Sequence, residues 1–236
     1  VQEADGALPL LAPMSDIAGR IAAQVSMSLL HQPQGGKGLL LGGCPAAERG
    51  RAVVIGAGTA GSNAATVLAA VGAEVVVFDR KRERLAAMRA LGNNVTALYP
   101  YTAALQREIT RADVVIGAVL RTGARTPHLV SRDVVRAMQA GSVIIDISVD
   151  QGGCVETTRP TDWQEPTYVE EDVVHFAVTN MPGAVPMAAS QALSAALLPY
   201  VQELTRADWK SRRSLAAGVN IEGGQIIHPA LQETFA

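Results

Sequence analysis

The sequence holds only two cysteines, Cys44 and Cys154. They stand far apart, with no CxxC pair and no histidine at metal-ligand spacing. Neither a disulfide framework nor a metal site is expected, and two reduced thiols in the cytosol is the simplest reading. Charge of one sign is not in excess either: 20 Lys and Arg stand against 22 Asp and Glu, for a net charge of −2. That balance is too even for the basic face that phosphate backbones or anionic membranes require, so no nucleic-acid partner is expected. Long apolar runs are also missing. Gly, Pro or charge breaks each one before the roughly 18 residues of a membrane helix, so no membrane span is expected. The chain opens Val1-Gln-Glu-Ala-Asp5 with neither an initiator Met nor the basic-then-apolar pattern of a secretory signal, which raises the expectation that something precedes it.

What is present is a globular composition. Apolar residues make up 48% and charged residues 18% of 236, enough to bury a core in one large domain or two small ones. From residue 51 onward, short β-branched runs alternate with amphipathic stretches of helical length, the signature of an α/β fold with a doubly wound parallel sheet of Rossmann type. Strands are predicted at 52–55, 74–78, 95–98, 114–119, 143–147 and 174–178, and helices at 60–71, 80–91, 103–112 and 132–139. Gly72, Gly92 and Gly141 follow three of these helices, where a left-handed C-cap favours glycine. Before this block, Ile17, Ile21, Val25 and Leu29 share one helix face and Ser15 is placed to cap that helix. Residues 32–50, rich in Gly and Pro, form a loop or short hairpin. A long Ala- and Leu-rich helix is predicted at 188–206, packed against other protein.

The sharpest motif is Gly56-Ala-Gly58-Thr-Ala-Gly61, directly after a strand and before a helix. In that context Gly56 permits the tight turn, Gly58 admits a pyrophosphate to the backbone and Gly61 lets helix and strand pack closely. The next strand ends at Asp79, about 20 residues on, where a carboxylate accepts from both adenosine-ribose hydroxyls. Asp79 favours NAD over NADP, because it would repel a 2′-phosphate. The basic run Arg80-Lys-Arg-Glu-Arg84 could bind that phosphate, or could be the solvated first turns of a helix.

Ligands of open α/β sheets lie beyond the carboxyl ends of the strands. That rule selects Leu120-Arg-Thr-Gly123, Ser148-Val-Asp150-Gln-Gly-Gly153 and Thr179-Asn180-Met181-Pro-Gly183. Asp150 is the best titratable candidate there, with a plain turn aspartate as the alternative. Asn180 and Met181 suit a carboxamide-bearing ring, although a turn before Pro182 needs no ligand. Of the four histidines, His175 reads as a core residue of a strand. His31, His128 and His228 suggest no triad, so nucleophilic catalysis has no support.

Pro9-Leu-Leu-Ala-Pro-Met-Ser-Asp-Ile-Ala-Gly-Arg20, Gly35-Gly-Lys-Gly38, Val54-Ile-Gly-Ala-Gly-Thr-Ala-Gly61, Ala112-Asp-Val-Val-Ile-Gly-Ala-Val-Leu120, Asp150-Gln-Gly-Gly153 and Asn180-Met-Pro-Gly-Ala-Val-Pro186 together closely resemble the alanine dehydrogenase family, in the same order and over nearly the whole chain. Nicotinamide nucleotide transhydrogenase subunits share the fold, but the last two motifs look like the dehydrogenase branch. The resemblance implies reversible oxidative deamination of L-alanine to pyruvate and ammonia with NAD, by a cytoplasmic homo-oligomer, commonly a hexamer. It implies that Ser15, the loop around Thr59 and Ala60, Asp79, Arg84, Val119, Leu120, Ile147, Arg159 and the stretch from Val178 through Asn180 to Met181 line the NAD site, and that Asp150 is the active-site aspartate. Two departures are Pro100, where the family usually has a small hydroxyl residue near the adenine, and His128, where it usually has Lys.

The same resemblance places the family's substrate-binding Arg and Lys and its catalytic His in an N-terminal segment that nothing in this sequence matches. The expected organisation is a remnant of a substrate domain at 1–12, a leading helix and loop at 13–50, an NAD-binding domain at 51–186 and a C-terminal helical segment at 187–236. The chain is then expected to be the NAD-binding part of an alanine dehydrogenase, incomplete for catalysis alone. The competing expectations are a stand-alone NAD-binding or oligomerisation module, or a transhydrogenase-like subunit.

Overall fold

A computed structural model describes residues 1–120, 126–229 and 231–232. The chain forms two compact units, one of Asp16–Ala184 and one of Val1–Ser15 with the chain from Val185 onward.

Helix α1 spans Ala12–Leu29. There follow β1 (Arg51–Ile55), α2 (Thr59–Ala70), β2 (Glu74–Phe78), α3 (Arg82–Arg89), β3 (Val95–Leu98), α4 (Thr102–Thr110), β4 (Val114–Gly117), α5 (Arg132–Arg136), β5 (Val143–Asp146), β6 (Thr167–Glu170) and β7 (Val173–Phe176). The seven strands form one sheet in the order β3-β2-β1-β4-β5-β7-β6. All pairs are parallel except β6 with β7. Strand order reverses between β1 and β4, which opens the crevice where such sheets bind ligands.

Alternation along each strand divides the core between the two faces. Ala52, Val54, Val75, Val77, Ile116 and Ile145 pack on one side with Ala18, Ile21 and Ala22 of α1 and Ala64, Ala65 and Leu68 of α2. Val53, Ile55, Val76, Phe78 and Ile144 pack on the other with Leu105 and Ile109 of α4 and Val134 and Val135 of α5. With both faces covered, the strands read as continuous apolar runs, which is why the α/β class is legible in the sequence.

Several expectations change in detail. Helix α1 begins at Ala12, so Ser15 lies inside its first turn, with its N–H donated to the Leu11 carbonyl, and does not cap the helix. Gly72 and Gly141 adopt positive φ as foreseen. Gly92 does not, and α3 ends earlier, through Ala90 in right-handed geometry. The last helix of the sheet domain stops at Arg136. Strand β4 ends at Gly117 because the chain beyond it exchanges ladder bonds for a side-chain bond, Val119 N–H donating to Ser148 Oγ at 3.0 Å. The antiparallel edge strand β6 was not foreseen. It joins β7 through Glu171 and Asp172, both at positive φ (53° and 59°).

In the smaller unit, α6 spans Pro186–Leu204, followed by α7 (Arg213–Ala216) and a two-stranded hairpin, β8 (Ile221–Glu222) with β9 (Gln225–Ile226). No residue of α6 is buried, and Met187 and Leu198 are exposed. Tyr200 of α6 donates its hydroxyl to Glu3 at 2.8 Å beneath the guanidinium of Arg212.

Candidate nucleotide-binding site

The turn after β1 is built by two glycines that the protein itself requires and one that it does not. Gly56 has φ 99°, and a Cβ there would lie 2.6 Å from the Ala118 carbonyl oxygen. A Cβ on Gly61 would stand 1.8 Å from the Gly56 carbonyl oxygen, so α2 can approach β1 only without one. Gly58 differs. Its backbone is extended (φ −72°, ψ −169°), and its Cβ would meet only an Arg84 guanidinium nitrogen at 3.8 Å. Neither sterics nor backbone conformation within the chain accounts for glycine at 58. A group approaching from outside would account for it, since a Cβ would occupy the space such a group needs.

Gly58 is also the N-cap of α2 and supplies no side-chain cap, which leaves the first-turn N–H groups of α2 to an external acceptor. Thr59 is exposed and Ala60 half-buried at this end. Residues not foreseen as part of the site hold α2 in place. A Cβ on Gly19 of α1 would fall 2.0 Å from the Ala60 carbonyl oxygen, and Asp16 accepts a hydrogen bond of 2.7 Å from the Asn63 amide. The sequence signal for Gly19 was only a small residue within an amphipathic helix.

Asp79 follows β2 directly and is buried. Its Oδ2 accepts from the Ala57 N–H at 2.8 Å and its Oδ1 from the Lys81 N–H at 2.8 Å, with an Arg84 nitrogen 3.5 Å from Oδ2. Each oxygen accepts one backbone bond; Oδ1 retains a lone pair, and Oδ2 gives its second only to the long contact with Arg84, so a vicinal diol displacing that contact would find an acceptor on each oxygen. Arg84 itself is exposed on α3.

The carboxyl ends of β4, β5 and β7 form the other half. A buried aspartate that sequence reasoning missed, Asp146 at the end of β5, organises it. Its oxygens accept from the N–H groups of Ser148 (2.9 Å), Cys154 (2.8 Å) and Val155 (3.2 Å) and from the Thr158 hydroxyl (2.9 Å). Burial pushes its carboxyl up, and these donors pull it back toward the charged form. β5 therefore ends in a 3-10 turn, Ile147–Gln151, and not in one more strand residue. The signal was present as an aspartate inside an apolar run. Cys154 is buried against Asp146, and burial raises its thiol well above the ordinary range. Both cysteines are free thiols.

Asp150 sits in that 3-10 turn, exposed, with no hydrogen-bond or ion-pair partner among the described residues. Partial burial pushes its carboxyl up from the usual range. Val119 is tied to the same turn through Ser148, Leu120 is exposed beside it, and Ile147 packs half-buried on the core. Arg121, Thr122 and Gly123 lie outside the described residues. Val178 and Met181 are buried in the sheet core, while Asn180 is exposed in left-handed geometry, φ 56°. Arg159 is stacked on Tyr168 of β6, its guanidinium 4.0 Å from the ring centroid, and its N–H donates to the Tyr168 hydroxyl. His175 is a core residue, as read. It bonds Thr157 and the Val173 carbonyl, and burial lowers its pKa. Ser15 falls in the smaller unit. The sheet thus gathers the glycine loop and Asp79 at one end, and Val119, Ile147, Asp150 and the stretch from Val178 to Met181 along the same carboxyl edge. Arg159 is turned onto β6.

No helix among the described residues is long and apolar enough to cross a membrane. Among those residues no cluster of three or more His, Cys, Asp and Glu is grouped to hold a metal ion.

Residues 22–229 match the family described as alanine dehydrogenase/PNT, C-terminal domain. The chain is 44% identical over 236 residues to an alanine dehydrogenase of Mycolicibacterium smegmatis, covering 98% of this chain and 64% of that protein. It is 44% identical over 237 residues to one of Geobacillus stearothermophilus, covering 98% and 63%. A solved L-alanine dehydrogenase superposes with a TM-score of 0.93 at 44% identity, over 99% of this chain and 66% of that one. A transhydrogenase from Sinorhizobium meliloti shares the fold, with a TM-score of 0.77 at 23% identity. The chain therefore spans about 64% of the length of the curated relatives it matches.

Proposed function

The chain belongs to the alanine dehydrogenase/PNT C-terminal domain family, and we propose that it is the NAD-binding part of an L-alanine dehydrogenase, acting in the reversible oxidative deamination of L-alanine to pyruvate and ammonia. The observation that carries the cofactor reading is Gly58, a glycine with neither a strained φ nor a crowded Cβ, at the uncapped start of α2. When bound, the nicotinamide ring supplies the acceptor for the hydrogen and electron pair that leave the amino acid.

In this reading the Gly58–Gly61 turn and the N–H groups of Thr59 and Ala60 hold the pyrophosphate, and Asp79 holds the adenosine-ribose hydroxyls. Arg84 borders that carboxylate. Val119, Leu120, Ile147, Asn180 and Met181 enclose the nicotinamide end with Val178 behind them, and Arg159 completes the lining. Asp150, unpaired and raised toward neutrality, takes a proton or a hydrogen bond at its carboxylate from the reacting amino acid. The cations and the imidazole that handle alanine belong, in this reading, to the share of the relatives that the chain does not span. A cytoplasmic homohexamer is the assembly proposed.

Calorimetric titration with NAD, and alanine-dependent NAD reduction assayed with and without the N-terminal third of a relative, test this. We expect NAD to bind the chain alone, and alanine to be oxidised only in the combined assay, with Asp150→Asn abolishing turnover but not binding. A wild-type chain that binds no NAD at millimolar concentration overturns the reading.

A further inference from the structure

Two tyrosines stand exposed at the carboxyl end of β3. Tyr99 and Tyr101 are 45% and 69% exposed, and their rings meet each other, with centroids 4.9 Å apart and planes tilted by 49°. The Tyr101 N–H donates across Pro100 to the Tyr99 carbonyl at 2.8 Å, so the chain turns within three residues and sets both rings at one point. Packing does not explain the pair. Tyr101 precedes α4 as its N-cap and forms no side-chain cap bond, and a ring so exposed buries little against that helix.

Their position in the sheet is informative. Phe78 and Leu98 are opposite one another in the β2–β3 register, and the Asp79 N–H donates to the Leu98 carbonyl. Tyr99 is therefore the next residue in register with Asp79, about 4.8 Å away across one strand spacing. The glycine loop ends β1, Asp79 ends β2 and the tyrosines end β3, and these three strands are neighbours in that order. A dinucleotide with its pyrophosphate on α2 and its ribose on Asp79 would have the end of β3 within reach of its base.

We propose that Tyr99 and Tyr101 form the wall on which the adenine ring stacks. This rests on the dinucleotide reading above. An aromatic face recognises any purine through its π-surface and excludes water from the ribose carboxylate beside it, which strengthens the bonds that Asp79 makes. The phenol hydroxyls are not required.

The test is calorimetry with ADP-ribose, which carries the adenine, ribose and pyrophosphate but no nicotinamide. It is run on the whole chain as wild type, Tyr101→Ser and Tyr101→Phe, with circular dichroism confirming that each is folded. Loss of the ring is expected to weaken ADP-ribose roughly tenfold while Tyr101→Phe stays within about twofold, as stacking on an aromatic face predicts. Unchanged affinity in folded Tyr101→Ser overturns the wall and leaves the dinucleotide site standing. Equal losses in Ser and Phe overturn stacking in favour of a hydroxyl bond. No binding of ADP-ribose by the wild type overturns the wall together with the site.

Discussion

The carboxylate of Asp79 accepts a hydrogen bond from the backbone N–H of Ala57 at 2.8 Å, so the residue proposed to read the ribose also fixes the loop proposed to hold the pyrophosphate. The two tasks are physically coupled. Ala57 is buried, and among the described residues its N–H has no other acceptor, so removing the carboxylate strands a donor in the core.

Asp79→Ala is therefore expected to lower both stability and affinity. Loss of a buried acceptor costs about 1–3 kcal/mol, and chemical denaturation would read it. NAD affinity falls in the same variant by at least about tenfold, with two ribose acceptors gone. In the wild type, NAD is expected to bind at least about tenfold more tightly than NADP, because the 2′-phosphate would face Asp79 at short range. Equal titration curves for the two nucleotides would contradict the assignment of Asp79 to the ribose.

Gly58 and Gly61 separate binding from folding. At Gly61 an added methyl would collide with backbone 1.8 Å away, so Gly61→Ala must displace α2 from β1 and is expected to lower the thermal midpoint by several degrees. At Gly58 the methyl has room and the backbone is relaxed. Gly58→Ala is expected to keep or slightly raise the midpoint while weakening NADH markedly in a fluorescence titration. A large loss of midpoint in Gly58→Ala would mean that the glycine is structural after all.

His175 gives a pH dependence of known sign. Its Nδ1–H donates to the Val173 carbonyl, its Nε2 accepts from the Thr157 hydroxyl, and Tyr168 stacks on it at 5.0 Å. These are the roles of the neutral ring, the form that burial favours. Burial lowers the folded pKa below 6.5, with the Val173 carbonyl opposing. Between 6.5 and the folded pKa the unfolded chain binds more protons than the folded one, so the stabilisation is present above 6.5 and lost as pH falls through that window. The slope of stability against pH from 7 to 5 is expected to be smaller in His175→Gln than in the wild type. The comparison is made by urea denaturation at each pH.

The parts of this molecule that follow from pattern were legible in the sequence. Val53-Val-Ile and Val75-Val-Val are apolar on both faces because helices cover both, and the glycine loop is recognisable because strand, turn and helix occur in order around it. What depends on one side chain meeting distant backbone was not. Asp146 reads as the polar end of a strand, yet its donors come from residues up to Thr158, and this fixes the turn that displays Asp150. Gly19 matters only because Ala60 lies against it, a contact between helices far apart in the chain. Arg159 lies over Tyr168 of β6, a neighbour that its place in the sequence does not disclose.

The turn that makes β6 illegible also makes it improvable. A two-residue hairpin of this kind needs φ > 0 at both positions, for which Asn-Gly is the usual signal. Here Glu171 and Asp172 occupy them at 53° and 59°. A left-handed residue with a Cβ costs about 1–2 kcal/mol. At Glu171 the carboxylate is held by Arg132 and Arg136, which lower its pKa, so its charge favours the folded hairpin above the ordinary carboxylate range and ceases to as pH falls through the depressed folded value. Among the described residues no cation clamps the Asp172 carboxylate in this way, and Asp172 contributes through its backbone carbonyl, which accepts from Gly141 N–H. Asp172→Gly keeps that carbonyl and relieves the φ strain, although glycine also loosens the unfolded chain by about 0.5–1 kcal/mol. The net expectation is a gain of up to about 1 kcal/mol in equilibrium denaturation, whereas Glu171→Gly, which relieves the same strain but breaks the arginine clamp, should show no gain. If both variants behaved alike, the clamp on Glu171 would not be what offsets its left-handed conformation.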